Sequence, residues 1–266
     1  MRLIRSVCWS FLVALLLCTA CAKERFAIGK GQPSHEIAQC ITLSEKKRFE
    51  EAVQCLEIFK SRFAGTPEAQ EAELRIGDSH YQRKEYLLAA ETYEAFLKLY
   101  PTSSKGDYAH YRVGLSYLMA SPKAIDRDQG FMDEALKSFE TVLTQYPQSP
   151  YLDAARQQRA IVRARLGRRH FYVGNFYYRT GEYKAAVPRL MEVLLNYPET
   201  NRLEETAYKV VAAHVRLGEI EEAKAIYARM DQAFSDSPWT KRAERILLKK
   251  ARVMTDGDTT RPGKNS

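Results

Sequence analysis

Small and large apolar positions recur along this chain in one arrangement. A small residue is followed four positions later by an aromatic or large apolar one, and often by a proline twelve positions after the small one. Ala89, Tyr93 and Pro101 fit, as do Ala135, Phe139 and Pro147, and Ala186, Leu190 and Pro198. Ala52 with Leu56 and Ala223 with Tyr227 fit without a proline at that spacing, although Pro67 and Pro238 follow a few residues later. A four-residue step stacks two side chains one turn apart on a helix face, and proline ends the helix because it cannot continue the hydrogen-bond ladder. The last four of these segments are preceded by a further apolar-periodic stretch, at residues 72–81, 109–118, 170–178 and 205–217. Turn signals separate the paired stretches at Thr180-Gly181-Glu182 and Leu217-Gly218-Glu219. The pattern predicts five helical hairpins.

These features resemble the tetratricopeptide repeat, a pair of antiparallel helices in which a small residue early in the second helix permits close approach and the aromatic one turn later fills the space beside it. Gly77, Gly114 and Gly174 fall at the small first-helix position of the same motif. The small residues Ala52, Ala89, Ala135, Ala186 and Ala223 are separated by 37, 46, 51 and 37 positions, so two insertions lengthen the middle of the array. One, residues 120–130 with Ser121-Pro122 and Arg127-Asp128, lengthens the turn inside the third hairpin. The other, residues 151–167, is amphipathic and rich in Arg and Ala, and either extends the first helix of the fourth unit or adds a helix before it. Inserted segments on a solenoid usually sit on one face and often carry contacts. The expected fold is therefore all-α, a right-handed solenoid of about five tetratricopeptide hairpins. Residues 239–254 form a C-terminal capping helix with Trp239, Ala243, Ile246, Leu247 and Leu248 near one side, and residues 255–266 a disordered tail.

The amino terminus carries processing information. Arg2 and Arg5 precede an apolar run over residues 7–17 that is too short for a permanent membrane helix. Thr19-Ala20-Cys21 resembles a bacterial lipobox, with Cys18 where Leu is usual. On that reading residues 1–20 are a signal peptide and residues 21–32 a tether. Cys21 then carries a covalent diacylglycerol and an N-acyl chain, which would anchor the chain without spanning the membrane. Ala22 beside it favours the outer membrane over inner-membrane retention. The competing reading is an ordinary secretory signal cut near Ala20 or Ala22. Loss of two arginines lowers the formal net charge from +8 to +6, a modest excess that argues for acidic partners or an anionic surface rather than nucleic acid. Cys40 and Cys55 would be the two thiols left in an oxidising compartment, either joined as a disulfide or buried as small hydrophobes.

Nothing in the chain has the spacing of catalytic chemistry. The five histidines make no H-x-x-x-H or H-E-x-x-H, and neither G-x-S-x-G nor a phosphate-binding glycine loop is present. The reading is a binding module with no catalytic residue, no metal and no cofactor beyond the lipid on Cys21. A narrower resemblance runs from about residue 33 to 230. Gly106-Asp107-Tyr108-Ala109-His110-Tyr111-Arg112-Val113-Gly114-Leu115, Gln145-Tyr146-Pro147-Gln148-Ser149-Pro150-Tyr151 and, above all, Tyr177-Tyr178-Arg179-Thr180-Gly181-Glu182-Tyr183-Lys184-Ala185-Ala186-Val187-Pro188-Arg189 are similar to the BamD family of outer-membrane lipoproteins, also called ComL or YfiO.

The resemblance implies a scaffold of the machinery that folds and inserts β-barrel proteins, facing the periplasm from the inner leaflet of the outer membrane. Its partners would be a BamA-type barrel protein, accessory assembly lipoproteins and unfolded outer-membrane β-barrel substrates. Residues 33–105 would be the substrate-binding half and residues 106–238 the BamA-docking half. Arg189 matches a family arginine that pairs with an acidic residue of BamA, a task suited to a planar guanidinium fork. Tyr183 and Arg179 flank it in the same motif. Phe63, Tyr81, Arg83 and Tyr86 are candidates for a groove that takes an aromatic-ended peptide and its carboxylate, while interhelix packing is the competing role for Tyr81 and Tyr86. The series Arg156, Arg159, Arg163, Arg165, Arg168 and Arg169 is either an edge for an acidic partner or anionic lipid, or a solvated helix face. Gln129 stands where the family usually has proline, so the loop around it is expected to differ. The rival assignments are another tetratricopeptide envelope lipoprotein, such as a secretin pilotin or cell-envelope coordinator, and an envelope enzyme, for which no stretch of chain is left over.

Overall fold

The computed structural model describes residues 31–258 except Asp126 and Asp128, with side chains as far as Arg252. Among the described residues are eleven helices and no strands. The described residues form two compact units that divide between Arg83 and Lys84. The division lies inside the stretch 33–105 that the family resemblance makes one functional half. The physical reason is that the helix beginning at Tyr86 packs with its successor: Tyr93 accepts a hydrogen bond from Arg112 Nε at 2.9 Å and meets Tyr108 edge-on at 6.3 Å.

The first unit contains α1 (Pro33–Glu45), α2 (Phe49–Arg62) and α3 (Pro67–Gln82), with α2 packed against both neighbours. Ala52, Leu56 and Phe59 are wholly buried and face Ile37, Cys40, Ala72 and Ile76. A disulfide between Cys40 and Cys55 ties α1 to α2, with the Cα atoms 5.4 Å apart. Two buried carboxylates are each given a cation. Glu36 accepts from the Gly31 N–H at 2.8 Å and pairs with Arg62 at 3.3 Å, and Glu73 pairs with Lys60 at 2.7 Å. Without these partners burial of either charge would be strongly unfavourable. Thr66 caps α3 by accepting from the Ala69 N–H at 3.2 Å, with Pro67 at the first helical position.

The second unit runs α4 (Tyr86–Leu99), α5 (Gly106–Ala120), α6 (Gly130–Gln145), α7 (Leu152–Thr180), α8 (Tyr183–Asn196), α9 (Leu203–Leu217), α10 (Ile220–Phe234) and α11 (Pro238–Asp258). Each helix packs on its successor, and Pro101, Pro147 and Pro198 stand just past the ends of α4, α6 and α8. The small first-helix positions are filled to contact. A Cβ built on Gly114 would come within 2.6 Å of the Phe139 ring, and one on Gly174 within 2.7 Å of Leu190. Gly181 and Gly218 end α7 and α9 at φ 83°, the left-handed conformation that glycine adopts without penalty. The following N–H groups of Glu182 and Glu219 then satisfy the Tyr177 and His214 carbonyls.

One open expectation is decided and another changes. The 151–167 insertion extends the first helix of the fourth unit, the first of its two readings, because α7 is a single helix of 29 residues. The last helix continues to Asp258, past the end expected at residue 254, since extending an existing helix adds one hydrogen bond per ordered residue and no new nucleation. On α11 Ala243 is buried and Trp239, Ile246 and Leu247 pack on α9 and α10, while Leu248 is 52% exposed and faces away. Residues 259–266 of the expected tail lie outside the described residues, as does Cys21 with the rest of the signal and the tether as far as residue 30.

Candidate functional site

The second unit is organised around α7, whose two halves bury different sides. Ala155, Val162 and Leu166 pack into a core with Met132, Phe139 and Val142 of α6. Phe171 and Gly174 turn instead toward α8 and α9, where Leu190, Val193 and Val210 complete the next core. Between the two buried sides runs a stripe at helical three- and four-residue steps: Ile161, Arg165, Arg168, Tyr172, Phe176 and Arg179. Its apolar members are open to solvent, with Ile161 at 49%, Tyr172 at 47% and Phe176 at 57% exposure.

Three hollows line up on this stripe. One of about 380 Å³ is lined by Tyr172, Asn175, Phe176, Arg179 and Thr180. The next, about 340 Å³, shares Tyr172 and Asn175 with the first and reaches Arg168, Ile125 and the start of α9 at Arg202 and Glu205. A small third, about 60 Å³, continues past Arg168 and Ile125 to Arg165, Gln129 and Lys123. The insertion between α5 and α6 therefore forms one wall. Gln129 holds it there: its buried side-chain amide donates to the Pro122 and Ala124 carbonyls, both at 3.0 Å. Arg165 Nη2 donates to the same Pro122 carbonyl at 2.6 Å. Gln129 is thus the loop's internal fastener.

The floor is fixed by a polar cluster between α7 and α9. Lys209 Nζ donates to Asn175 Oδ1 and Glu205 Oε1, each at 2.7 Å, and lies 5.4 Å from the centre of the Phe171 ring. Arg202 also lies over the Phe171 ring, at 5.0 Å, and pairs with Glu205 at 2.8 Å. Burial opposes the Glu205 charge, but Lys209 and Arg202 outweigh it and hold the carboxyl below its usual range. Tyr178, at the back of the cluster, has its phenol pushed up to about 12, chiefly by burial with Tyr208 and Tyr183 adding to it. On the far side Arg163 grips Glu199 at 2.7 and 3.2 Å and lies 5.4 Å over the Tyr197 ring, fixing the end of α8 to α7.

The residues expected at sites fall in several places. Arg179 lines the largest hollow, whereas Tyr183 packs edge-on against Tyr178 at 5.7 Å. Arg189 is exposed on α8, close enough for its charge to act on His170. In the first unit Phe63 closes α2, half-buried 4.7 Å from Phe59, with Arg62 5.4 Å over its ring. Arg83 pairs with Glu50, and Tyr81 is half-buried at the end of α3. Tyr86 is half-buried at the start of α4, in the other unit. Of the basic series on α7, Arg156 pairs with Asp153 at 2.5 Å and Arg163 with Glu199, while Arg165 and Arg168 border the hollows. Among the described residues no cluster of side chains is arranged to hold a metal, and no helix is long and apolar enough to cross a membrane. Tyr172 and Phe176 were not legible as surface groups, although their step from Arg168 and Arg179 is in the sequence.

Residues 34–230, which run from α1 into α10 and include the whole of α7 and α8, match the YfiO family of outer membrane lipoproteins. The chain belongs to this family. A relative from Neisseria meningitidis serogroup A, an outer membrane protein assembly factor BamD, is 30% identical over 198 residues that cover 71% of this chain and 74% of the relative. The BamD of Rickettsia prowazekii is 27% identical, with 78% and 82% covered. That of Caulobacter vibrioides is 28% identical over 65% of this chain, and the match spans only 57% of that longer relative. α7 and α8 carry the motif from Tyr177 to Arg189, so the hollows on α7 and the exposed Arg189 on α8 belong to the two helices of one hairpin.

Proposed function

We propose that this chain is a non-catalytic scaffold of outer-membrane protein assembly, held at the outer membrane by acyl chains on Cys21 and facing the periplasm. The carrying observation is the family match over residues 34–230, with relatives that are outer membrane protein assembly factors. The helical array supports the reading, because stacked hairpins present side chains for partners rather than converging acid, base and nucleophile. Arg189 docks on an acidic residue of a BamA-type barrel protein, an arrangement supported by its exposure on α8 and by the absence of any carboxylate bonded to it among the described residues. The first unit receives unfolded barrel substrates, and accessory lipoproteins join the same complex.

The test is to purify the lipoprotein from its own outer membrane in mild detergent and identify what accompanies it, comparing native protein with Arg189→Glu. A BamA-type barrel protein should be recovered with the native chain and lost, or reduced about tenfold, with the variant, since reversing one partner of a charge pair converts attraction into repulsion. Recovery of a secretin or a cell-wall enzyme in its place would overturn the assignment.

A further inference from the structure

We infer that the stripe on α7 is a docking trough for an acidic, aromatic-bearing segment of a partner polypeptide, lying extended along the helix. The hollows share residues end to end, so they form one run from Lys123 and Arg165 past Tyr172 and Phe176 to Arg179. Among the described residues the charge along it is mostly of one sign. Arg168 donates from Nε to its own helix, at the Ala164 carbonyl 3.3 Å away, and Arg165 donates to a carbonyl and an amide oxygen. Among the described residues the one carboxylate in the lining, Glu205, is already shared between Lys209 and Arg202. Two exposed aromatics sit in the middle of this cationic run, where a soluble surface gains nothing by holding them in water.

Length and polarity define the occupant. From Arg165 to Arg179 the helix rises about 21 Å at 1.5 Å per residue, which an extended peptide covers in about six residues at 3.3 Å each. Carboxylates near its ends would meet Arg165 and Arg168 on one side and Arg179 on the other, and a large apolar side chain between them would enter the hollow beside Tyr172 and Phe176. The chain's own ends do not fit: residues 21–30 carry Lys23, Arg25 and Lys30 against Glu24, and residues 259–266 carry Arg261 and Lys264 with no acid. An anionic lipid headgroup would use the arginines but leave the aromatics unexplained. The trough lies apart from Arg189 on α8, so this inference does not depend on the docking role proposed above.

The test is fluorescence anisotropy with the purified full chain and a fluorescein-labelled peptide, Glu-Asp-Leu-Phe-Asp-Glu, amidated at its carboxyl end. Binding should saturate, weaken about tenfold or more in Phe176→Ala and in Arg168→Glu, and persist in Arg156→Glu, which lies on the opposite side of the same helix. Because Phe176 and Arg168 are exposed, both variants should keep the helical circular dichroism of the parent. Equal affinity for a peptide with Ser in place of Phe would reduce the trough to general electrostatics and overturn the inference. So would unchanged binding in both variants, or binding to phosphatidylglycerol vesicles with none to the peptide.

Discussion

Gly174 shows how little room the hairpins leave. A methyl group there would meet Leu190 Cδ2 at 2.7 Å and also the Leu190 backbone nitrogen at 3.2 Å, which cannot swing away. Alanine is the better helix former by about 1 kcal/mol, yet overpacking a tight contact costs about 1–3 kcal/mol, so Gly174→Ala should lower stability in a urea titration rather than raise it. Histidines set a second residue-scale effect. Burial holds His110 below its ordinary range, and burial with Arg189 and Arg169 nearby does the same to His170. A histidine whose folded pKa is depressed takes up its proton more readily when unfolded, so its share of stability is complete above about pH 6.5 and falls as the pH drops through that value. Thermal unfolding midpoints should therefore decline between pH 7 and pH 5, with a shallower slope in the His110→Gln, His170→Gln double variant. An unchanged slope would assign the decline to other groups, since the lowered carboxyls of Glu199 and Glu205 act only at more acid pH.

At the scale of elements, the disulfide makes α1 unlike the other helices. It closes a loop of 15 residues, for which chain entropy accounts for about 3 kcal/mol, in a unit with three helices among its described residues to share a core. Reduction, or Cys40→Ala with Cys55→Ala, should speed amide hydrogen exchange in α1 by about a hundredfold while leaving α8 to α10 unaffected; uniform acceleration throughout would mean that the two units unfold together. The hairpins themselves were readable because the small residue, the large residue one turn later and the terminating proline are all local signals. Ala186, Leu190 and Pro198 mark α8 without any knowledge of its neighbours. The stripe on α7 was not readable in that way. Val162 and Phe171 are nine residues apart, about half a turn around the helix, and both are buried, one against α6 and the other beside α9. A helix that changes its buried side midway shows no single apolar face, so the solvent-facing Tyr172 and Phe176 resemble core positions until the neighbours are placed. Gln129 was expected to set its loop apart, but its three-way hold on backbone carbonyls is something no sequence pattern reports.

For the whole molecule the proposed place at the outer membrane requires an anchor. No helix among the described residues could span a bilayer, and a net charge of +6 after removal of the signal would give only a weak, salt-sensitive attraction to anionic lipid. Acyl chains differ in kind: each buried CH₂ contributes about 0.8 kcal/mol, one chain binds reversibly, and two or more hold stably. With Cys21 acylated, the protein should stay with the membrane fraction through a high-salt wash and incorporate labelled palmitate. Cys21→Ser should abolish the label and, once the signal is cut by the ordinary peptidase, release the chain into the soluble periplasmic fraction. If the variant instead stays bound and washes off in salt, charge or protein partners are the anchor. If it remains bound through the wash, tight assembly with an integral barrel protein is enough by itself, and Arg189→Glu combined with Cys21→Ser should then release it, separating the contribution of the lipid from that of the docking contact.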